Sequence, residues 1–480
     1  MELFKKSPVL WAAAGAALFY YVPLGTFFRI NSLIFLVCVI SLFRAVAVVA
    51  GTKTRIFRVF HIMTLSFSIG MMIGISANPQ MAHLGVKPER VVGISGILDT
   101  DPRTFYDGRG MSDLNLIRVM SLGNIRTSAR GTIVVFFPEE SMLRLKEFGR
   151  GAEVYIEGSV LKTTGPKASF RARAVHINKP ANELEQMRTG IRIRIIDHFS
   201  RFRWGGLALA LLLGFRENLD SAIAGQFQAA GCSHILALSG MHLAIVAALL
   251  AFLLKKPLGL RASAIVSALC ISVYVYVIGD QASLIRSAIM YLLGTAGILY
   301  ALPKKPLLFL GFSFLIQIIG WPDSGHSVSF ILSYLALAGI LLLSGPVYNL
   351  IRGWIPDAVA QPLAASVGAF IATSTSVVLF FGILRPFGII TGLCIVPVTT
   401  LFMIGAFIFL ASRGMIPFMD TMMDFLYRLL DWMTVESARV PGLHTRAVVL
   451  VFVASAVAAA GICIVSVRTE QLRNHCESFD

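Results

Sequence analysis

The sequence predicts a polytopic α-helical membrane protein, with about eleven spans and a small β domain inserted on the extracytoplasmic side. Three observations carry this. The 480 residues are 56% hydrophobic and 14% charged, with mean hydropathy +0.75, whereas a soluble chain carries about 25% charged residues. Apolar stretches of about 20 residues, the length a span needs, recur along the chain. Between two groups of them, residues 88–180 change to short, β-branched, partly alternating segments.

The apolar stretches fall at 8–23, 30–50, 59–76, 232–254, 259–278, 282–302, 305–321, 326–345, 362–384, 386–411 and 447–467. Lys5 and Lys6 precede the first, but no small-residue cleavage site follows, so it reads as a retained span. "WGGLALALLLG" (204–214) is too short to cross and reads as a re-entrant or interfacial piece. Lys and Arg in short loops set orientation. Lys5 and Lys6, then Lys53, Arg55 and Arg58, put the N-terminus and the second loop inside. Residues 77–185 then fall outside, and Lys255, Lys256, Arg261, Lys304, Lys305, Arg352 and Arg413 fall inside. Parity places the C-terminal tail outside. The formal net charge of +16 reports such loops before it reports any partner. The six cysteines avoid the β region and form no C-x-x-C pair, so neither a disulfide framework nor a cysteine metal site is expected.

Within 88–180, "RVVGISGILDT", "LNLIRVMS", "GTIVVFF", "AEVYIEGSV" and "SFRARAVHI" read as five strands separated by turns such as "DPRTFYDGRG". Five short strands suggest a small barrel, OB-like, or another small sandwich. Residues 186–203 alternate Arg with apolar residues and read as a basic amphipathic helix on the membrane surface.

Polar residues interrupt the apolar stretches. "GCSHILALSGMHLAIV" carries His234, Ser239, Gly240 and His242. In one continuous helix His234 and His242 would stand about 12 Å apart along the axis, while Ser239 and His242 would share a face. "GDQASLIRSAIMYLL" brings Ser283 and Arg286 to the outer end of a span, where an arginine can snorkel. "HSVSFILSYLALAG" sets Ser329 and Ser333 on one stripe, and "ATSTSVV" places four hydroxyls mid-span. Small and polar residues also serve as packing glue between membrane helices. Polar stripes on several spans favour an internal polar path. Two histidines without a third ligand make a poor zinc site. Ser239 and His242 could act as nucleophile and base, yet no G-x-S-x-G elbow or acidic orienter accompanies them. No catalytic residue, metal or cofactor is therefore expected.

"GCSHILALSGMH", "SLIRSAIM" and "SFILSYLALAG", in this order, resemble the signature blocks of the ComEC family, inner-membrane channel proteins of bacterial competence. The family's first block reads Gly-x-x-His, a short apolar stretch, then Ser-Gly-x-His. Gly231, His234, Ser239, Gly240 and His242 fill it. Ser283 and Arg286 match the second block, and Ser329, Phe330, Leu332 and Ser333 the third. "ALLLGFRENL", with Gly214, resembles the family's lead-in, and the likeness runs over roughly 85–475. The late family block usually carries an Asn ahead of a proline; here Gly392 precedes Pro397. Many members end in a metallo-β-lactamase-like domain thought to be a nuclease. The chain has no H-x-H-x-D-H pattern among its nine histidines, so nuclease activity is not expected of it.

The resemblance implies passage of single-stranded DNA across a bacterial inner membrane during natural transformation. It divides the chain into N-terminal transmembrane helices (1–76), an extracytoplasmic OB-like domain (77–185), an amphipathic or interfacial linker (186–230) and a competence-type channel domain (231–480). His234, Ser239, Gly240, His242, Ser283, Arg286, Ser329 and Ser333 would line the channel. Residues 88–180 hold 14 Lys and Arg against 10 Asp and Glu. The better strand-binding candidates there are Arg103, Phe105, Tyr106 and Arg109 in one loop and Phe170, Arg171 and Arg173 on the last strand. An inside-negative potential opposes phosphate entry by about 2.3 kcal/mol per charge per 100 mV, and no P-loop is present. A separate cytoplasmic ATP-driven motor, an external DNA receptor or pilus machinery and a separate nuclease are the implied partners, beside the lipid bilayer and a second copy of the chain. The alternatives are an intramembrane hydrolase or transferase using Ser239 and His242, and a non-conducting scaffold.

Overall fold

The computed structural model describes residues 7–21, 66, 69–70, 84–105, 108–122, 125–162, 168–301, 305–412, 414–445 and 447–477. The expected spans 30–50 and 59–76, apart from three residues, and the N-terminal lysines lie outside them.

Helix α1 (Pro8–Tyr21) opens the described chain. The β region follows as β1 (Val91–Leu98), β2 (Arg103–Thr104), β3 (Gly110–Ser121), β4 (Ile125–Ser128), β5 (Thr132–Phe137), helix α2 (Glu139–Phe148), β6 (Glu153–Lys162) and β7 (Ala168–Lys179). β3 pairs antiparallel with both β1 and β5, β5 runs parallel to β7, and β6 joins β7 back to β1. The five long strands thus form a closed circuit, with β2 and β4 appended to β3. Period-two alternation drives it. Along β5, Ile133, Val135 and Phe137 point inward, to meet Ile94, Leu114, Val154, Ile156 and Phe170 in one core. The five expected strands correspond to β1, β3, β5, β6 and β7. Helix α2 is an addition: Glu139 and Glu140 in its first turn and Lys146 in its last complement the helix dipole, and Met142 and Leu145 enter the β core.

Helix α3 (Glu183–Phe199) starts at Asn182, whose side chain accepts from the Glu185 amide at 2.9 Å. Its orientation corrects the expectation of a basic face turned to lipid headgroups. Arg188 is buried and Arg192 half-buried, both against Asp101 of the β1–β2 loop, while Leu184, Met187 and Ile191 point outward. The arginines reach inward because a carboxylate waits there.

Of the re-entrant and interfacial readings of 204–214, helix α4 (Gly205–Leu213) excludes the interfacial one. Eight of its nine residues are buried in the helical core, and Tyr274 donates to the Leu212 carbonyl at 2.6 Å. Helices α5 (Ser221–Ala229), α6 (Ser233–Leu236), α7 (Gly240–Ile278), α8 (Ala282–Leu299), α9 (Pro306–Gly320), α10 (Val328–Ile351), α11 (Asp357–Phe381), α12 (Gly388–Ala411), α13 (Met419–Ala438) and α14 (Val448–Glu477) complete the chain. A two-residue pairing of Ile383–Leu384 with Leu443–His444 joins the loops before α12 and α14. Five helices, α7, α8, α10, α11 and α12, are long and apolar enough to cross a membrane; α1, α9 and α14 contribute shorter apolar stretches. Several apolar helices of this kind indicate a multi-pass membrane protein.

Helix α7 is not a single rod. At 1.5 Å per residue a straight helix of its length would extend roughly 58 Å, yet Ser283, just beyond its C-terminus, donates to the carbonyl of Leu238, just before its N-terminus. The chain doubles back at Gly259, whose φ of 74° and ψ of 176° only glycine adopts without strain. Lys255, Lys256 and Arg261 are exposed around this turn. The two antiparallel halves correspond to the expected spans 232–254 and 259–278, the first starting later, at Gly240.

Candidate functional site at a helix break

The expectation that residues 232–254 form one helix is wrong. Helix α6 ends at Leu236, Ala237 and Ser239 are extended, and α7 begins at Gly240. The break separates the two histidines. His234 is exposed on α6, while His242 is fully buried in the first turn of α7. They stand on different helices.

The break keeps Ser239 and His242 together by another route. Ser239 is the N-cap of α7. Its backbone N–H donates to His242 Nδ1 at 3.1 Å, and its Oγ lies 3.0 Å from the same nitrogen. Because a backbone amide can only donate, Nδ1 is the acceptor and the proton of the neutral ring sits on Nε2. Nε2 is buried and has no hydrogen-bond partner. The arrangement is a capping box with histidine in the place of the usual glutamate. It leaves a polar nitrogen in the interior, and no acidic side chain among the described residues orients the ring as a catalytic dyad requires.

Arg286, one of the expected channel-lining residues, stands on the second turn of α8 and is 7% exposed inside the bundle, which excludes snorkelling. Its Nη1 donates to the Ser333 carbonyl at 3.1 Å, its Nη2 to Ser287 Oγ at 3.3 Å, and its guanidinium stands 5.8 Å from the centre of the Tyr334 ring. Arg286 Nε has no partner. Tyr334 is held in turn by Ser313 and Gln317, at 3.2 and 3.0 Å. Ser283, Arg286 and Ser333 therefore meet beside the break, with Gly240 against the guanidinium. The mid-span hydroxyls form no part of this group. Ser374 pairs with Ser455 at 2.7 Å and Thr373 bonds its own preceding turn, which is packing between α11 and α14.

A cleft of about 590 Å³ opens above the break, between the β region and the helices. Asp101, Arg103 and Phe105 of the β1–β2 segment, Arg192 of α3, Gly214 to Glu217, Leu238 and Ser329 line it. Of the sequence candidates, Arg103 and Phe105 of the β region and Ser329 of the membrane helices line this space. Ser329 is exposed toward it. Charged contacts clasp its rim. Arg188 and Arg192 both reach Asp101, Arg150 lies 2.6 Å from Asp280, and Lys146 lies 2.6 Å from Glu217, whose other oxygen accepts from the Thr104 amide at 2.7 Å. Burial pushes the Asp101 carboxyl up, but the guanidinium groups of Arg192 and Arg188 outweigh it and hold the carboxyl below the usual carboxylate range.

The strand-binding candidates divide. Arg103 pairs with Met111, Met111 with Phe136 and Phe136 with Arg171, one row across β2, β3, β5 and β7. None of the four is buried, and both arginines are exposed. Arg173 is exposed further along β7, and Arg109 in the turn, where its carbonyl accepts from Phe105 at 2.6 Å. Phe170 is a correction: it is fully buried in the β core and cannot stack on a base. Alternation could have shown this, since Arg171 and Arg173 facing out place Phe170 inward. Tyr106 lies outside the described residues. Arg150, Arg192 and Arg216 at the cleft were missed. Only Arg192 carried a signal, and the amphipathic pattern assigned it to lipid. Among the described residues, no group of three or more His, Cys, Asp and Glu is placed to hold a metal.

A family model described as "Competence protein" matches residues 211–470. No curated protein and no solved structure matches the chain.

Proposed function

The chain belongs to the competence protein family, which suggests a role in DNA uptake for transformation, and from this premise we propose that it forms the path by which single-stranded DNA crosses a bacterial inner membrane. The observation that carries the reading is the cleft. It is lined by Arg103, the end of an outward row of β residues that runs to Arg171, and by Ala237 and Leu238 of the helix break, beyond which Ser239, His242, Ser283 and Arg286 lie inside the bundle. A strand bound on the β surface has a short way to the interior polar groups.

The remaining parts of the proposal follow the same logic. The β region is an OB-like domain on the extracytoplasmic side. Its closed circuit, its one parallel pair between β5 and β7, and the helix between β5 and β6 support that reading. The domain division and the count of about eleven spans, with the N-terminus cytoplasmic, rest on apolar length and Lys/Arg placement. The path is passive and non-catalytic. His242 Nε2 lacks a partner, which is unfavourable to a hydrolase built on Ser239. A cytoplasmic ATP-driven motor, an external receptor or pilus system and a separate nuclease complete the pathway.

The test is uptake of labelled DNA by a deletion strain carrying the wild-type chain or His242→Ala, with membrane abundance measured alongside. The path reading expects lost uptake at unchanged abundance. A packing role expects uptake to fall only as far as abundance does. Normal uptake in the variant would sink the assignment.

A further inference from the structure

Arg286 is a buried charge with no carboxylate partner among the described residues. Its protein contacts are one carbonyl, one hydroxyl and the face of Tyr334, and its Nε is unpartnered. A buried cation in this state is costly unless something supplies negative charge. A side chain on Gly240 would place its first carbon 3.1 Å from Arg286 Nη2 and 3.0 Å from Ser287 Oγ, so the guanidinium lies against the first residue of α7. The first-turn amides of a helix lack internal acceptors and carry the positive end of its dipole. His242 in the same turn adds a second buried, unpartnered nitrogen. The N-terminus of α8 is adjacent, since Ser283 in its first turn bonds Leu238. Two helix N-termini and an arginine thus meet at the break, with the imidazole N–H buried in the same first turn of α7, and no carboxylate among the described residues answers the arginine.

Resting on the translocation reading, we infer that this break is an anion station that holds one phosphodiester of the passing strand at a time. The cleft favours a phosphodiester over a free small anion. Its lining carries Arg103, Arg150, Arg192 and Arg216 against Asp101, Glu217 and Asp280, so the approach to the break keeps a small excess of positive charge that suits a polyanion. The hydroxyls beside the station, Ser239, Ser283 and Ser287, are uncharged. A single fixed charge among uncharged groups gives register to a strand without gripping it along its length, as conduction requires. Gly240 is needed for this geometry, because any larger residue would push against the guanidinium and the Ser287 hydroxyl.

The experiment uses the full chain in lipid nanodiscs and a fluorescent oligothymidylate. Binding is measured over a range of salt for wild type, Arg286→Gln and Arg286→Lys. Each neutralised phosphate contributes a slope of about −0.7 in log K against log salt for single strands. Arg286→Gln is expected to flatten the wild-type slope by about that amount, and Arg286→Lys to restore most of it. An oligomer with neutral methylphosphonate linkages is expected to bind wild type and Arg286→Gln alike. Equal slopes for wild type and Arg286→Gln would overturn the station while leaving the path itself standing if uptake persists. Should Arg286→Gln fail to fold, wild type alone decides. Inorganic phosphate replacing chloride at constant ionic strength is expected to raise its unfolding temperature, and no rise would overturn the station. Phosphate stabilisation without any binding of the oligothymidylate would overturn the phosphodiester assignment together with the path reading.

Discussion

Arg188 of α3 places Nη2 2.5 Å from Oδ2 of Asp101, across the seam between the β region and the helices. The same arginine donates through Nε to the Tyr276 carbonyl at 2.7 Å, near the end of α7, and through Nη1 to Glu185 at 3.0 Å. One side chain, 1% exposed, therefore ties the β1–β2 loop, α3 and the second half of α7.

Asp101→Asn should loosen that tie. Removing one partner of a buried pair costs about 3–5 kcal/mol, and the remaining Glu185 contact should bring this nearer to about 2–3 kcal/mol. Because the Asp101 carboxyl is held below its usual range, its contribution is complete above the free value of about 3.9 and is lost as pH falls through the lower folded value. Unfolding temperature measured against pH should be flat from neutral down to about pH 5 in this respect and fall below about 4. Asp101→Asn should start lower and lack that acid limb. An identical acid limb in the variant would remove Asp101 as its source.

Ser239→Ala separates the path from a hydrolase. It removes the hydroxyl 3.0 Å from His242 Nδ1 but keeps the backbone N–H that holds the ring. Loss of an N-cap hydroxyl costs about 1 kcal/mol, so partial uptake at near-normal abundance is expected. A nucleophile has no such substitute. Loss of uptake in Ser239→Ala as complete as in His242→Ala, with labelling of Ser239 by a serine-directed covalent probe, would favour the hydrolase.

The outward row on the β region gives a salt-dependent prediction. Arg103→Ala with Arg171→Ala in the full chain should flatten the salt dependence of oligothymidylate binding by about 1.4 in slope, two contacts at about 0.7 each. Phe170→Ala, by contrast, should destabilise the β core by about 3–5 kcal/mol and alter binding only through unfolding. A specific loss of affinity in a folded Phe170→Ala protein would contradict its burial.

Gly259→Ala tests the turn in α7. A side chain at φ 74° and ψ 176° costs about 1–3 kcal/mol. The turn is exposed and nothing lies within 4 Å of an added carbon, so backbone strain is the whole effect. The variant should insert normally and unfold at a lower temperature. An unchanged unfolding temperature would mean that the turn relaxes elsewhere.

Much of the fold was legible because two strong signals mark it. Long apolar stretches located α7, α8, α10, α11 and α12, and β-branched alternation located β1, β3, β5, β6 and β7. Helices α2 and α13 escaped because they are neither apolar throughout nor β-branched: "EESMLRLKEF" is mostly charged, and "MDTMMDFLYRLLDWMTVESA" mixes acidic with large apolar residues. At the site, the spacing of Ser239 and His242 was informative even though the helix starts between them, since N-cap and N3 are neighbours in any case. For Arg286 the sequence left snorkelling open beside a place in the channel. Proximity to the start of a span says nothing about what packs over it, and Ser333 and Tyr334 of α10 enclose it from a distant part of the chain. The clasp around Asp101 was illegible for the same reason: its partners lie 87 and 91 positions away.

The closed circuit of the β region has a consequence for what happens when that clasp opens. Sheets with a long free margin expose a run of unpaired amides and carbonyls that recruits strands from other molecules. Here each of the five long strands has a neighbour on both sides, and the appended pieces, β2 and β4, are two and four residues long. A β region released from the helices would offer almost no template for polymerisation. Chains with a broken seam should therefore stay dispersed and be lost to proteolysis of the exposed linker, not to fibre or inclusion formation.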